Sequence, residues 1–143
     1  MRTLIYQGIR YIKAADDSLG ITHQGVRTRR TRVGEGYEGH EAKIGKSTLD
    51  LTIRPNKKHI ELHSLRTPVA HRGKGHADTA MRWLTSLADE RGHDISLGAS
   101  PLDKRTHTNK LVAFYRKHGF ETTGHTINPL GHPEMLRKAR PIA

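Results

Sequence analysis

Residues 58–92 read as a strand, a glycine turn and a helix in immediate succession, and no other stretch of the chain constrains its fold as strongly. In "KHIELHSLR" the residues Ile60, Leu62 and Ser64 share one face, and Glu61, His63 and Leu65 share the other, the period-two pattern of a strand. Ala77, Ala80, Met81, Leu84, Leu87 and Ala88 then follow the spacing of an amphipathic helix over residues 77–91, which Gly92 stops. Between the two lies "PVAHRGKGHADTA", where Gly73 and Gly75 sit among Arg72, Lys74 and His76. Glycine lets backbone approach a ligand closely, and a helix start presents unpaired N–H groups. The combination predicts a cradle for an anion.

The flanking sequence places this unit in a sheet. "STLDLTIRP" has Leu49, Leu51 and Ile53 at period two, and Pro55-Asn56 makes a turn, so it pairs with the next strand as an antiparallel hairpin. "HDISLGAS" is apolar enough for an inner strand, and Pro101 ends it. A second helix is predicted from about Thr106 to His118, with Leu111, Val112 and Tyr115 inward. Lys117 and His118 suit the negative end of its dipole, and Gly119 suits its cap. "FETTGHTI" and "EMLRKA" supply two closing strands. Upstream, "TLIYQGIRYIKA" alternates as one strand, and a weaker strand lies within residues 20–27. Residues 27–40, "RTRRTRVGEGYEGH", read as a mobile basic loop. The expected fold is α/β (α+β), a sheet of mixed direction in one domain over residues 1–143.

Two familiar phosphate-binding patterns fail on the glycine turn. A nucleoside-triphosphate loop needs Lys-Ser/Thr after the last glycine, and Gly75 is followed by His76. A dinucleotide fingerprint needs a third glycine where this chain has Asp78, a carboxylate facing the pyrophosphate. A third pattern, [R/Q]-x-x-G-x-[G/A], is matched by Arg72, Gly73, Lys74, Gly75, His76 and Ala77. Downstream, "NKLVAFYRKHGFE" carries Phe114, Tyr115, Gly119 and Phe120 in an F-Y-x-x-x-G-F arrangement. With both motifs at this separation, residues 58–121 resemble the GNAT superfamily of acyl-CoA-dependent N-acyltransferases.

The resemblance implies a mostly antiparallel sheet flanked by helices, and acetyl-CoA as co-substrate. Residues 73–77, with Arg72 and Lys74 beside them, would hold the coenzyme A pyrophosphate through backbone amides, as the physics of a glycine-exposed helix start favours. A backbone N–H near Leu65 to Thr67 would meet the oxyanion, and the small residues Gly98, Ala99 and Ser100 would leave room for the pantetheine arm. Tyr115 would stand near the sulfur as general acid. A base is needed to make the amine neutral, and Glu61 is the first candidate, with His63 the second.

The formal charge of +11 and the eleven histidines raise the odds of a polyanionic partner. They favour a macromolecular acceptor: a protein lysine or N-terminus, or an aminoacyl-tRNA. The other reading is a GNAT-like module without turnover that binds nucleic acid or a protein partner. Arg27, Arg29, Arg30 and Arg32 are the candidate polyanion contact, with only Tyr37 nearby for stacking, so phosphate rather than base recognition is expected. The absence of cysteine excludes disulfides and thiolate chemistry. "HIELH" is no zinc motif, since His59 and His63 on a strand stand about 13 Å apart, and no metal is expected. No run has the length of a membrane helix, and the chain is expected to be cytoplasmic, with a homodimer in keeping with the resemblance.

Overall fold

The computed structural model of the chain describes residues 3–6, 9–12, 20–101 and 107–141. In chain order its elements begin with β1 (Thr3–Tyr6), β2 (Ile9–Ile12), β3 (Thr22–His23), β4 (Val26–Arg27), β5 (Arg29–Gly34), β6 (Tyr37–Ile44), β7 (Ser47–Arg54) and β8 (His59–Arg66). They continue with α1 (His76–Arg91), β9 (Asp94–Gly98), α2 (Thr108–Lys117), β10 (Glu121–Thr126) and β11 (Pro133–Arg137). Nine strands form one sheet in the order β1-β2-β5-β6-β7-β8-β9-β11-β10, and β3 and β4 form a separate ribbon. Every neighbouring pair in the sheet runs antiparallel except β8 and β9. The fold is therefore α+β with a mostly antiparallel sheet, as the sequence predicts.

The core follows from the two periodicities. Leu49, Leu51 and Ile53 of β7, Ile60 and Leu62 of β8, and Ile95 and Leu97 of β9 face Ala80, Met81, Leu84, Leu87 and Ala88 of α1. Burying each of the larger side chains stabilises the fold by about 1.5–3 kcal/mol. Gly92 caps α1 in the left-handed region (φ 68°), donating its N–H to the carbonyls of Ala88 and Asp89. The opposite face of β7 and β8 is polar: Asp50 accepts from Ser64 at 2.7 Å, and Arg54 donates to Glu61 at 2.9 Å. Trp83 Nε1 donates to the carbonyl of His23 at 2.8 Å and straps the β3–β4 ribbon to α1.

Three expectations need correction. The stretch expected as one strand holds two: β1 and β2 pair antiparallel, from Thr3 opposite Ile12 to Tyr6 opposite Ile9. Residues 20–27 hold two short strands rather than one. Residues 27–40 are no loop, since β5 and the first half of β6 lie within them. Apart from Val33, their buried side chains are polar, which hides the strands from a hydrophobic pattern. Thr28 and His40, each 1% exposed, bond at 2.9 Å, and Glu38 takes contacts of 3.3 Å from both His40 and Arg30. Buried polar groups that satisfy one another substitute for an apolar stripe.

The two faces of β8 also differ from the simple alternation. Leu51 pairs with Leu62 but Asp50 pairs with Ser64, so His63 is the extra residue of a β-bulge. Beyond it Leu65 joins the core face opposite Leu49, and Ser64 moves to the polar face.

Candidate active site

The bulge and the one parallel joint create the site between them. Pairing of β8 with β9 runs from His59 and Asp94 to Leu62 and Leu97 and stops there. β9 continues along β11 to Gly98, while β8 turns away at His63. The strands part, and a cleft of about 450 Å³ opens in the gap. Its walls are the end of β8, the turn before α1, the first turn of α1, the end of β9 and the inner face of α2.

At one end is the glycine turn. Gly73 (φ 75°) and Gly75 (φ 84°) lie in the left-handed region. A Cβ at either would meet nothing within 4 Å, so backbone conformation rather than space calls for glycine. Gly75 is the N-cap of α1 and offers no side-chain acceptor to the first-turn amides. Those amides and the positive end of the helix dipole are left for an anion. Asp78 in the same turn would oppose it, but Lys117 Nζ at 2.7 Å and His118 Nε2 at 2.8 Å compensate the carboxylate. The Lys117 bond does most to lower the Asp78 pKa, outweighing partial burial, with His118 adding to it. The same contacts tie α2 to α1. Arg72 Nε donates to the carbonyl of Thr67 at 2.9 Å, and the Thr67 and Ser47 hydroxyls bond at 2.6 Å, which fixes the end of β8 against the turn.

At the other end is α2. Leu111, Phe114 and Tyr115 face the cleft at helical spacing. The Tyr115 ring packs edge-on against Phe114 and Phe120, at 5.3 and 5.7 Å between centroids. Burial pushes its hydroxyl up to about 12, so it remains a neutral donor throughout the physiological range.

Of the residues singled out in the sequence, Leu65, Thr67, Arg72, Gly73, Gly75, His76, Ala77, Gly98, Ser100 and Tyr115 line this one cleft. Lys74 belongs to the turn but does not line the cleft, and Ala99 is fully buried beside it. Glu61 stands apart on the polar face, held by Arg54. Burial pushes its carboxyl up, but the Arg54 bond and charge, helped by His63 and His59, outweigh this and leave it lowered. His63 does line the cleft, because the bulge presents it there. Its Nε2 lies 2.6 Å from Thr52 Oγ1 and 3.9 Å from Glu61 Oε2.

The four arginines do not converge. Arg27 donates to Thr22 Oγ1 on the ribbon at 3.1 Å, and Arg30 turns inward to Glu38. Arg29 and Arg32 reach the polar face, Arg32 over the Tyr37 ring at 5.3 Å. Among the cleft residues that the sequence did not assign to the site are His71, Lys110, Leu111 and Phe114, although Leu111 was expected to face inward and Phe114 belongs to the second motif. The last two were visible as the i and i+3 partners of Tyr115 at i+4, whereas His71 sits in a short 3₁₀ turn, Val69–His71, that leaves no pattern. Among the described residues no group of three or more His, Asp or Glu is placed to hold a metal ion, and no helix is long and apolar enough to cross a membrane.

The model of the acetyltransferase (GNAT) family matches residues 46–120, a little over half of the 143 residues. No curated protein matches the chain in sequence. Among solved structures, the chain is similar to the anti-CRISPR protein AcrVA5, with 16% identity, a TM-score of 0.57 and coverage of 68% of this chain and 96% of that one. It is similar to an aminoglycoside 6'-N-acetyltransferase complexed with coenzyme A, with 20% identity, a TM-score of 0.54 and coverage of 76% of each chain. It is also similar to the ribosomal-protein-S18-alanine N-acetyltransferase from Escherichia coli, with 13% identity, a TM-score of 0.54 and coverage of 77% of this chain and 73% of that one. At these identities the likeness to the solved structures shows the fold alone. The matched segment runs from β7 through the glycine turn to the end of α2, and so contains the cleft.

Proposed function

This chain belongs to the acetyltransferase (GNAT) family, and from that premise we propose that it transfers an acetyl group from acetyl-CoA to a primary amine, borne on a macromolecule. The observation that carries the reading is a single cleft joining an uncapped, glycine-exposed helix start to the buried Tyr115 hydroxyl. The donor set fits the cofactor: backbone amides for a pyrophosphate at one end, and apolar walls from Leu62, Leu97 and Leu111 for an uncharged arm.

Bound acetyl-CoA would supply a thioester carbonyl, activated for attack by an amine. The amides of residues 73–77 bind the pyrophosphate. The end of β8 between Leu65 and Thr67 offers the backbone N–H that meets developing negative charge on the carbonyl oxygen. Tyr115 donates from its neutral hydroxyl to the departing sulfur. His63 accepts the amine proton: it lines the cleft, whereas Glu61 is engaged by Arg54 and acts on His63 from behind. The +11 charge supports a macromolecular acceptor, because a small amine gains nothing from a charge spread over the whole surface.

Calorimetric titration tests the reading. Acetyl-CoA and coenzyme A are expected to bind and ATP is not, and Gly75→Glu abolishes binding, both by placing a carboxylate in the anion turn and by straining its left-handed backbone, while the protein stays folded. Equal affinity in that variant, or no binding by the parent protein, sinks the assignment.

A further inference from the structure

A second concavity, of about 690 Å³, lies on the polar face of the sheet beside the end of β8. Strand alternation brings Arg29 of β5, Lys43 of β6 and Arg66 of β8 to it, and the β6–β7 turn adds Lys46. Among the described residues, Glu41, bonded to Arg29 at 3.3 Å, is the one carboxylate in its lining. Asp50 lies behind it, 3.3 Å from Arg66. Lys43 and Lys46 are exposed. The groove is continuous with the cofactor cleft, because Thr67 and Arg72 line both. It is also fixed relative to the anion turn: the backbone N–H of Lys46 donates to His76 Nδ1 at 3.4 Å, across the start of α1.

We propose that this groove docks the phosphodiester backbone of a nucleic acid, next to the cofactor cleft. The lining decides between polyanions. A protein interface needs an apolar centre with aromatic anchors, and here, among the described residues, the lining offers only Pro68 and Val69, with no aromatic ring. Phosphate recognition needs cations and little else. The missing rings also exclude base stacking, so binding is independent of sequence. This surface differs from the arginine cluster expected from the sequence. It keeps Arg29 and draws its other cations from three separate places in the chain. The inference goes beyond acetyl transfer and does not depend on it.

The test is fluorescence anisotropy of the full chain with a labelled single-stranded RNA 12-mer, the same sequence as DNA, and the DNA duplex, over a range of salt. Four cation–phosphate contacts give a log–log salt slope of about −2.8 for single strands, and Lys43→Glu with Lys46→Glu reduces it to about −1.4. That double variant is expected to bind oligonucleotide at least tenfold more weakly, with acetyl-CoA affinity within twofold of the parent. RNA and DNA binding alike marks pure backbone recognition, and preference for one names the source. No binding at low salt, an unchanged slope in the double variant, or displacement by poly-glutamate at equal charge overturns the proposal, the last in favour of an acidic protein. Because acetyl-CoA is titrated separately, failure of the groove is distinguishable from failure of the acetyltransferase reading.

Discussion

On the proposed mechanism, Tyr115 is the residue at which turnover and binding separate. Its ring is held by Phe114 and Phe120 whether or not the hydroxyl is present, so Tyr115→Phe leaves the packing and the cleft walls intact. Loss of a positioned proton donor lowers the rate by about 100-fold. We therefore expect kcat to fall by that order while calorimetric acetyl-CoA affinity stays within about twofold. An unaltered rate would return Tyr115 to a purely structural role. Because its hydroxyl is raised to about 12, it stays protonated as the solution turns alkaline, and any limb of the rate profile near neutrality belongs to another group. The sequence made Tyr115 legible because its neighbours form a dense motif. Glu61 and His63 were legible only as a pair on a common face. Which of them reaches the cleft depends on one inserted residue, and no side-chain periodicity reports that.

At the scale of elements, the bulge in β8 is the device that makes the site. Leu62, Ser64 and Leu65 already occupy the faces they would take in a strand lacking His63, since the bulge absorbs one residue and restores alternation beyond it. Deleting His63 is therefore expected to leave a folded protein, with stability changed by no more than about 1 kcal/mol, but with β8 straightened along β9 and the cleft closed. Thermal unfolding and calorimetry on the same sample check both halves. His63→Gln keeps the bulge, so it retains acetyl-CoA binding and loses rate; binding that survives the deletion would show that the bulge does not open the cleft. Strands with apolar inward faces, such as β7 and β9, were read correctly from the chain. β5 and β6 were not, because Thr28, Glu38 and His40 satisfy one another inside and erase the contrast that marks a strand.

For the molecule as a whole, Arg137 is the fastener. Only 3% exposed, it donates from Nη1 and Nη2 to the two oxygens of Asp89 at 2.8 and 3.0 Å, and from Nε to the His118 carbonyl at 3.1 Å. It thereby joins β11, α1 and the end of α2. The Arg137 bonds do most to hold the Asp89 pKa below its ordinary value, against partial burial and with help from the Arg140 N–H and charge. A lowered folded pKa means the stabilisation is present above the unfolded value of about 3.9 and is lost as pH falls through the folded one. Asp89→Asn is expected to cost about 2 kcal/mol near neutrality, because weaker amide contacts replace the charge-assisted hydrogen bonds to the buried Arg137 guanidinium, and to flatten the acid limb of stability below pH 4. Urea titrations at several pH values read both effects; a variant as stable as the parent at pH 7 would refute the fastener. The parallel joint between β8 and β9 has a consequence for assembly. The hairpins from β5 to β8 close short loops between neighbours in the chain, whereas His59 meets Asp94 only across the whole of α1. A chain growing from its N-terminus can complete that meander early, but it has no cleft until β9 and Tyr115 have been made. Cofactor recognition is thus a property that arrives late, after the meander it is grafted on.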